Sequence, residues 1–132
     1  MAKTAAARVV YVVDADASVR QGLARLVDSA GLESVPCDSI EAFLGQTPGT
    51  RIACALLEVS GLPQCEPAIW SRLRAMAAGV PVIALSARDD PAMRRLAQDL
   101  GAQAFFHKPV DAAALLDSID WVTRAERMRS GA

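Results

Sequence analysis

Four polar residues stand where apolar runs stop: Asp14 after "VVYVV", Glu58 after "IACALL", Ser86 closing "VPVIALS" and Lys108 after "AFFH". An acid, a second acid, a hydroxyl and a cation form a set suited to handling charge. Ser86 as a nucleophile would need a base to activate it. The only histidine, His107, is expected to point toward a helix-covered face, because side chains alternate along a strand. A protease-like or esterase-like reading is therefore poor. Cys37, Cys54 and Cys65 are odd in number and lack metal-ligand spacing, which suits a reducing cytosol and ordinary packing. The segment "DADASV" after the first apolar run is not a Ser/Thr/Gly phosphate loop, which argues against a flavin-type cofactor domain.

The elements that must position these four residues follow from patterning. Residues 8–13, "RVVYVV", are β-branched and aromatic without alternation, the pattern of a strand covered on both faces. In the next segment Val19, Leu23, Leu26, Val27 and Ala30 share one helical face, with Asp16 or Ser18 as cap and Gly31 at the end. A short strand is expected at "ESVPC", then a short helix opened by Asp38 with Glu41, then a turn at "QTPGTR". "IACALLEV" is a buried strand, and Pro67 starts a helix carrying Ile69, Leu73 and Met76. "VPVIALS" is another strand, Asp90 and Pro91 open a helix with Met93, Leu96, Ala97 and Leu100, and Gly101 ends it. "AQAFFH" is the last strand, and residues 111 to about 127 form the last helix. Five buried strands alternating with five helices predict an α/β fold, a doubly wound parallel sheet with helices on both faces; the flavodoxin-like order 2-1-3-4-5 is what the resemblance given below implies. In such a fold functional groups gather beyond the carboxyl ends of the strands, where all four polar residues fall.

The chain has 132 residues, enough for one domain with a real core; we expect that domain over residues 1–128, with 129–132 a tail or the start of a linker. At 52% hydrophobic and 22% charged it reads as globular. A formal net charge of -1 with no basic run makes it a poor binder of nucleic acid by itself. The apolar stretch near the start is broken off by Asp14, too short for a signal peptide or membrane span, so the expected location is cytoplasmic.

Taken in order, "VVDADASVR", "LLEV", "VIALSA" and "FFHKP" resemble the acidic opening, the phosphoacceptor segment, the Ser/Thr strand and the Lys-Pro turn of the receiver domain of bacterial two-component response regulators. "VVDADASVR" and the helix "SIEAFL" are similar to receivers of the nitrogen-fixation and nodulation type, which usually precede a helix-turn-helix DNA-binding domain. The resemblance implies a phosphoryl group passed to an aspartate, a magnesium ion held by a pair of acids plus that aspartate, and a lysine and a hydroxyl that hold the product. It also implies a cis bond between Lys108 and Pro109, and switch roles for Ser86 and Phe105.

Against that pattern the site is degenerate. Asp14 is present, its partner position is Ala15, and the phosphoacceptor position is Glu58. Pro63 lies one residue later than the family's turn, which allows a second register with Val59 at the acceptor position; Glu58 is preferred, the extra residue being absorbed at Gly61. A glutamate moves the carboxylate outward by roughly 1.5 Å, and a displacement of about 1 Å can cost 10²-fold in rate. The expectation is absent or very poor phosphorylation, no resident cofactor, and weak or absent Mg2+ binding. Glu58 either reaches toward Lys108 and Ser86 as a partial imitation of a phosphoryl group, which carries about two negative charges, or only solvates the rim. Asp16 is expected to cap a helix, not to replace the missing acid.

The implied function is a regulatory, phosphorylation-independent protein-interaction module, not an enzyme, in transcriptional control. Its rivals are a conventional Mg-dependent phosphoacceptor in a phosphorelay and a module that binds a small anion or metabolite by Lys108 and Ser86. At 100° per residue Leu115, Ile119 and Val122 face the core, while Ala114, Trp121, Ala125 and Met128 share the opposite side. In the family the surface of the fourth helix, fifth strand and fifth helix makes dimer or output contacts, so a homodimer or output-domain contact is expected there, with a sensor kinase as a further partner.

Overall fold

Apolar runs, and for β2 the mixed segment "ESVPC", form the five strands of one parallel sheet: β1 (Val9–Val13), β2 (Glu33–Cys37), β3 (Ile52–Glu58), β4 (Val82–Ser86) and β5 (Ala104–His107). Five helices alternate with them: α1 (Ala17–Ser29), α2 (Ile40–Leu44), α3 (Pro67–Ala77), α4 (Pro91–Leu100) and α5 (Ala112–Gly131). This computed structural model describes residues 8–46 and 52–131, with 126–131 described by their backbone alone. The strand order is β2-β1-β3-β4-β5, as expected from the family resemblance. The expected turn at "QTPGTR" lies largely outside the described residues.

Each face of the sheet carries its own core. On one side Tyr11, Val13, Ala55, Leu57 and Ala84 pack against Phe43, Leu73 and Met93 of α2, α3 and α4. On the other, Val10, Val12, Leu56, Ile83 and Leu85 meet Leu23 and Val27 of α1 and Leu115, Ile119 and Val122 of α5. Burying a large aliphatic side chain stabilises by roughly 1.5–3 kcal/mol, so the central strand β3, whose Leu56 and Leu57 are fully buried, anchors both layers.

The helix ends show which sequence signals act. Asp16 caps α1 by accepting the N–H of Val19, and Gly31 sits beyond its end at φ 83° in the left-handed region that favours glycine. Asp90 caps α4 through the N–H of Met93, and Gly101 follows at φ 98°. The cap of α2 is Ser39 instead of Asp38: its extended backbone stands directly before Ile40 and its hydroxyl accepts the N–H of Ala42. Helix α5 runs to Gly131, past the expected end near 127. The irregular loop after β3 holds a 3-10 turn, Leu62–Gln64, which begins after Gly61 and buries Leu62.

Candidate functional site

Register brings the candidate groups together. Val13 pairs with Leu57 and with Cys37, and Ser86 pairs with His107, so Asp14, Glu58, Ser86 and Lys108 all fall at the carboxyl rim of adjacent strands. Backbone bonds extend the ladder past the strand ends: Asp14 N–H donates to the carbonyl of Cys37, Val59 N–H to Leu85, and Lys108 N–H to Ser86. Val59 is fully buried in the core under α2, α3 and α4, whereas Glu58 turns to the rim.

The Lys108–Pro109 bond is cis, and the lysine ammonium ends between two carboxylates. Its Nζ is 2.7 Å from Asp14 Oδ2 and 3.0 Å from Glu58 Oε2. The side chains are 19% exposed for Lys108, 3% for Asp14 and 16% for Glu58, so the cluster is shielded enough for its charges to matter. Burial works against the ammonium, but the hydrogen bond it donates to Asp14 and the nearby Glu58 carboxylate prevail and hold Lys108 above its ordinary pKa. The remaining carboxylate oxygens are also engaged: Asp14 Oδ1 accepts the N–H of Asp16 at 2.9 Å, and Glu58 Oε1 accepts the N–H of Ser60. Arg20 Nη1 donates to the carbonyl of Asp14 at 2.7 Å, and Ala15 presents a methyl group to solvent.

Glu58 thus reaches Lys108 but has no hydrogen bond to Ser86. The fully buried Ser86 hydroxyl is instead 3.0 Å from Ser60 Oγ and accepts the N–H of Arg88 at 2.9 Å. His107 is exposed, contrary to the expected covered face; at the rim of the short edge strand its Nε2 turns to the carbonyl of Ala87, 3.2 Å away. Phe105 is half-buried against the α2–α4 core, with Arg94 Cζ 4.9 Å from its ring centroid. On α5, Ala114 is exposed and Trp121 is 62% exposed, the largest apolar side chain left open among the described residues. Ala125 is half-buried, and the side chain of Met128 lies outside the described residues. Sequence reasoning missed Ser60 and Arg20. An acid followed two residues later by serine at a strand end is the one local sign of such a turn.

A magnesium ion needs several oxygens in a tight octahedron. The donor set here does not fit: the Ala15 side chain contributes no oxygen, and an ammonium already supplies the positive charge between Asp14 and Glu58. Among the described residues no group of three or more His, Cys, Asp or Glu side chains is placed to hold a metal ion. Nor is any helix among them long and apolar enough to cross a membrane.

Comparison with known proteins agrees with this architecture. The family model described as response regulator receiver domain matches residues 10–120. The transcriptional regulatory protein FixJ of Bradyrhizobium diazoefficiens is 32% identical over 117 residues, covering 87% of this chain and 56% of FixJ. The transcriptional regulatory protein TdiR of Thauera aromatica is 35% identical over 123 residues, covering 89% of this chain and 52% of TdiR. The crystal structure of a response regulator receiver protein from Burkholderia phymatum superposes with a TM-score of 0.71 at 31% identity, covering 88% of this chain and 94% of that one. The chain spans about half the length of these two regulators.

Proposed function

Because this chain belongs to the response regulator receiver domain family, we propose that it acts as an atypical receiver, a phosphorylation-independent regulatory and protein-interaction module of a transcriptional regulator. The observation that carries this reading is the commitment of both acids to Lys108, at 2.7 Å and 3.0 Å, with alanine at the third acidic position. A nucleophile must be free to approach phosphorus in line, and a displaced carboxylate loses rate steeply. Glu58 instead gives the lysine a permanent anionic partner, as a partial imitation of a phosphoryl group.

The anion or metabolite reading fares worse on the same geometry, since a small anion would meet two carboxylates around one ammonium. The module therefore signals through contacts and not through turnover of its own, in the cytoplasm. The exposed Trp121 beside Ala114 favours the face of α4, β5 and α5 for a homodimer or an output domain, with a sensor kinase as a further partner.

Titration with magnesium and beryllofluoride, followed by amide NMR, tests the reading. The expected result is no saturable shift at Glu58, Ser86 or Ala87 in the parent chain, and a recovered response on replacing both Ala15 and Glu58 by Asp. Saturation in the parent at millimolar magnesium would establish the conventional phosphoacceptor.

A further inference from the structure

We propose that Ser60 is an internal latch: its hydroxyl, 3.0 Å from Ser86 Oγ and accepting the N–H of Ala87 at 3.2 Å, supplies from within the chain the partner that the switch hydroxyl of a responsive receiver takes from a bound group. The inference rests on the atypical-receiver reading and adds a positioning residue to it. Ser60 is held from both sides, since its N–H is given to Glu58 Oε1 while its hydroxyl faces β4. The two hydroxyls divide the connection after β4 between them: Ser60 Oγ accepts from Ala87, Ser86 Oγ accepts from Arg88, and a hydrogen bond between the two hydroxyls, either of which can donate, closes the pair.

Ala87 is fastened at both ends, its N–H to the β3 turn and its carbonyl to His107 Nε2 at the end of β5. From there the connection passes to α4, where Arg88 pairs with the capping Asp90 and Asp89 pairs with Arg94, the residue over Phe105. These outer ion pairs are exposed and weak. The hydroxyl pair has one member fully buried, where an unmade bond is expensive, so it decides the position of the connection. With both Lys108 and Ser86 partnered internally, the switch groups stay in one arrangement whether or not a phosphodonor is present.

Amide hydrogen exchange by NMR on the 132-residue chain separates the contributions. Ser60→Ala should speed exchange at Ala87 roughly tenfold, the worth of one hydrogen bond to an exposed backbone amide, with Arg88 changed far less. Ser60→Thr, which keeps the hydroxyl, should restore protection of Ala87. Ser86→Ala should give the converse pattern, with exchange faster at Arg88. Ala87 exchange within twofold of the parent in Ser60→Ala, or equally fast in Ser60→Thr, would overturn the latch. Amides of β1 and β3 report whether each variant is folded. Phosphoryl uptake by the parent would remove the wider reading, whereas an unchanged Ala87 without such uptake removes the latch alone.

Discussion

Lys108 Nζ lies 2.7 Å from Asp14 Oδ2, joining the end of β5 to the end of β1 across the rim of the sheet. Glu58 closes the arrangement from β3 at 3.0 Å. In the atypical-receiver reading proposed above, these acids serve the lysine and not a metal and a nucleophile. The net worth of such a shielded cluster is small, because desolvation offsets attraction, but stranding its members is costly.

Lys108→Met should therefore destabilise by roughly 2–4 kcal/mol at pH 7, somewhat below the full cost of a stranded buried charge because the lysine is partly exposed. In the parent the lysine pKa is raised, so its contribution is fully present below the ordinary lysine value of 10.5 and is lost only as pH rises through the folded value. Urea unfolding of parent and variant at pH 7 checks this; a deficit below about 0.5 kcal/mol, the range for surface substitutions, would contradict it.

Burial pushes the Cys54 thiol from 9.0 up to about 12, against a smaller opposing pull from Arg8. The unfolded chain then ionises first, so stability is intact below pH 9 and falls between pH 9 and about 12, at up to about 1.4 kcal/mol per pH unit. Cys54→Ala should flatten that fall. Tyr11, whose pKa burial and Cys37 also raise, leaves a residual slope above pH 10. Unfolding free energies from pH 8 to 10 in parent and variant measure the difference, and identical slopes would contradict the assignment.

Trp121 is exposed on α5 opposite the buried Leu115, Ile119 and Val122. Trp121→Ala should weaken self-association in sedimentation velocity while changing unfolding free energy by no more than about 0.5 kcal/mol, the range for surface substitutions. An unchanged sedimentation profile from a dimeric parent would remove α5 from the interface.

The sheet and the four rim residues were legible because each apolar run stops abruptly at a polar group, and in a parallel sheet those stops fall on one edge. The helix caps at Asp16 and Asp90 were legible from the following periodic residues. Asp38 misled because two adjacent residues both suit an N-cap, and only the extended backbone at Ser39 decides between them. The extension of α5 was hidden by polarity: "RMRSGA" looks like a tail, yet Arg and Met are good helix formers. Ser60 was invisible because its partners are Ser86 and Ala87, on the neighbouring strand and its loop, and no periodicity records a contact of that kind. His107 departs from expectation because alternation governs the interior of a strand, whereas this residue is the last of a short edge strand.

Intact-mass measurement after incubation with a small phosphodonor and magnesium tests the central claim most directly. The expected result is an unchanged mass for the parent chain, with a gain appearing once Asp stands at both position 15 and position 58. A stoichiometric phosphoryl adduct on the parent would contradict the account.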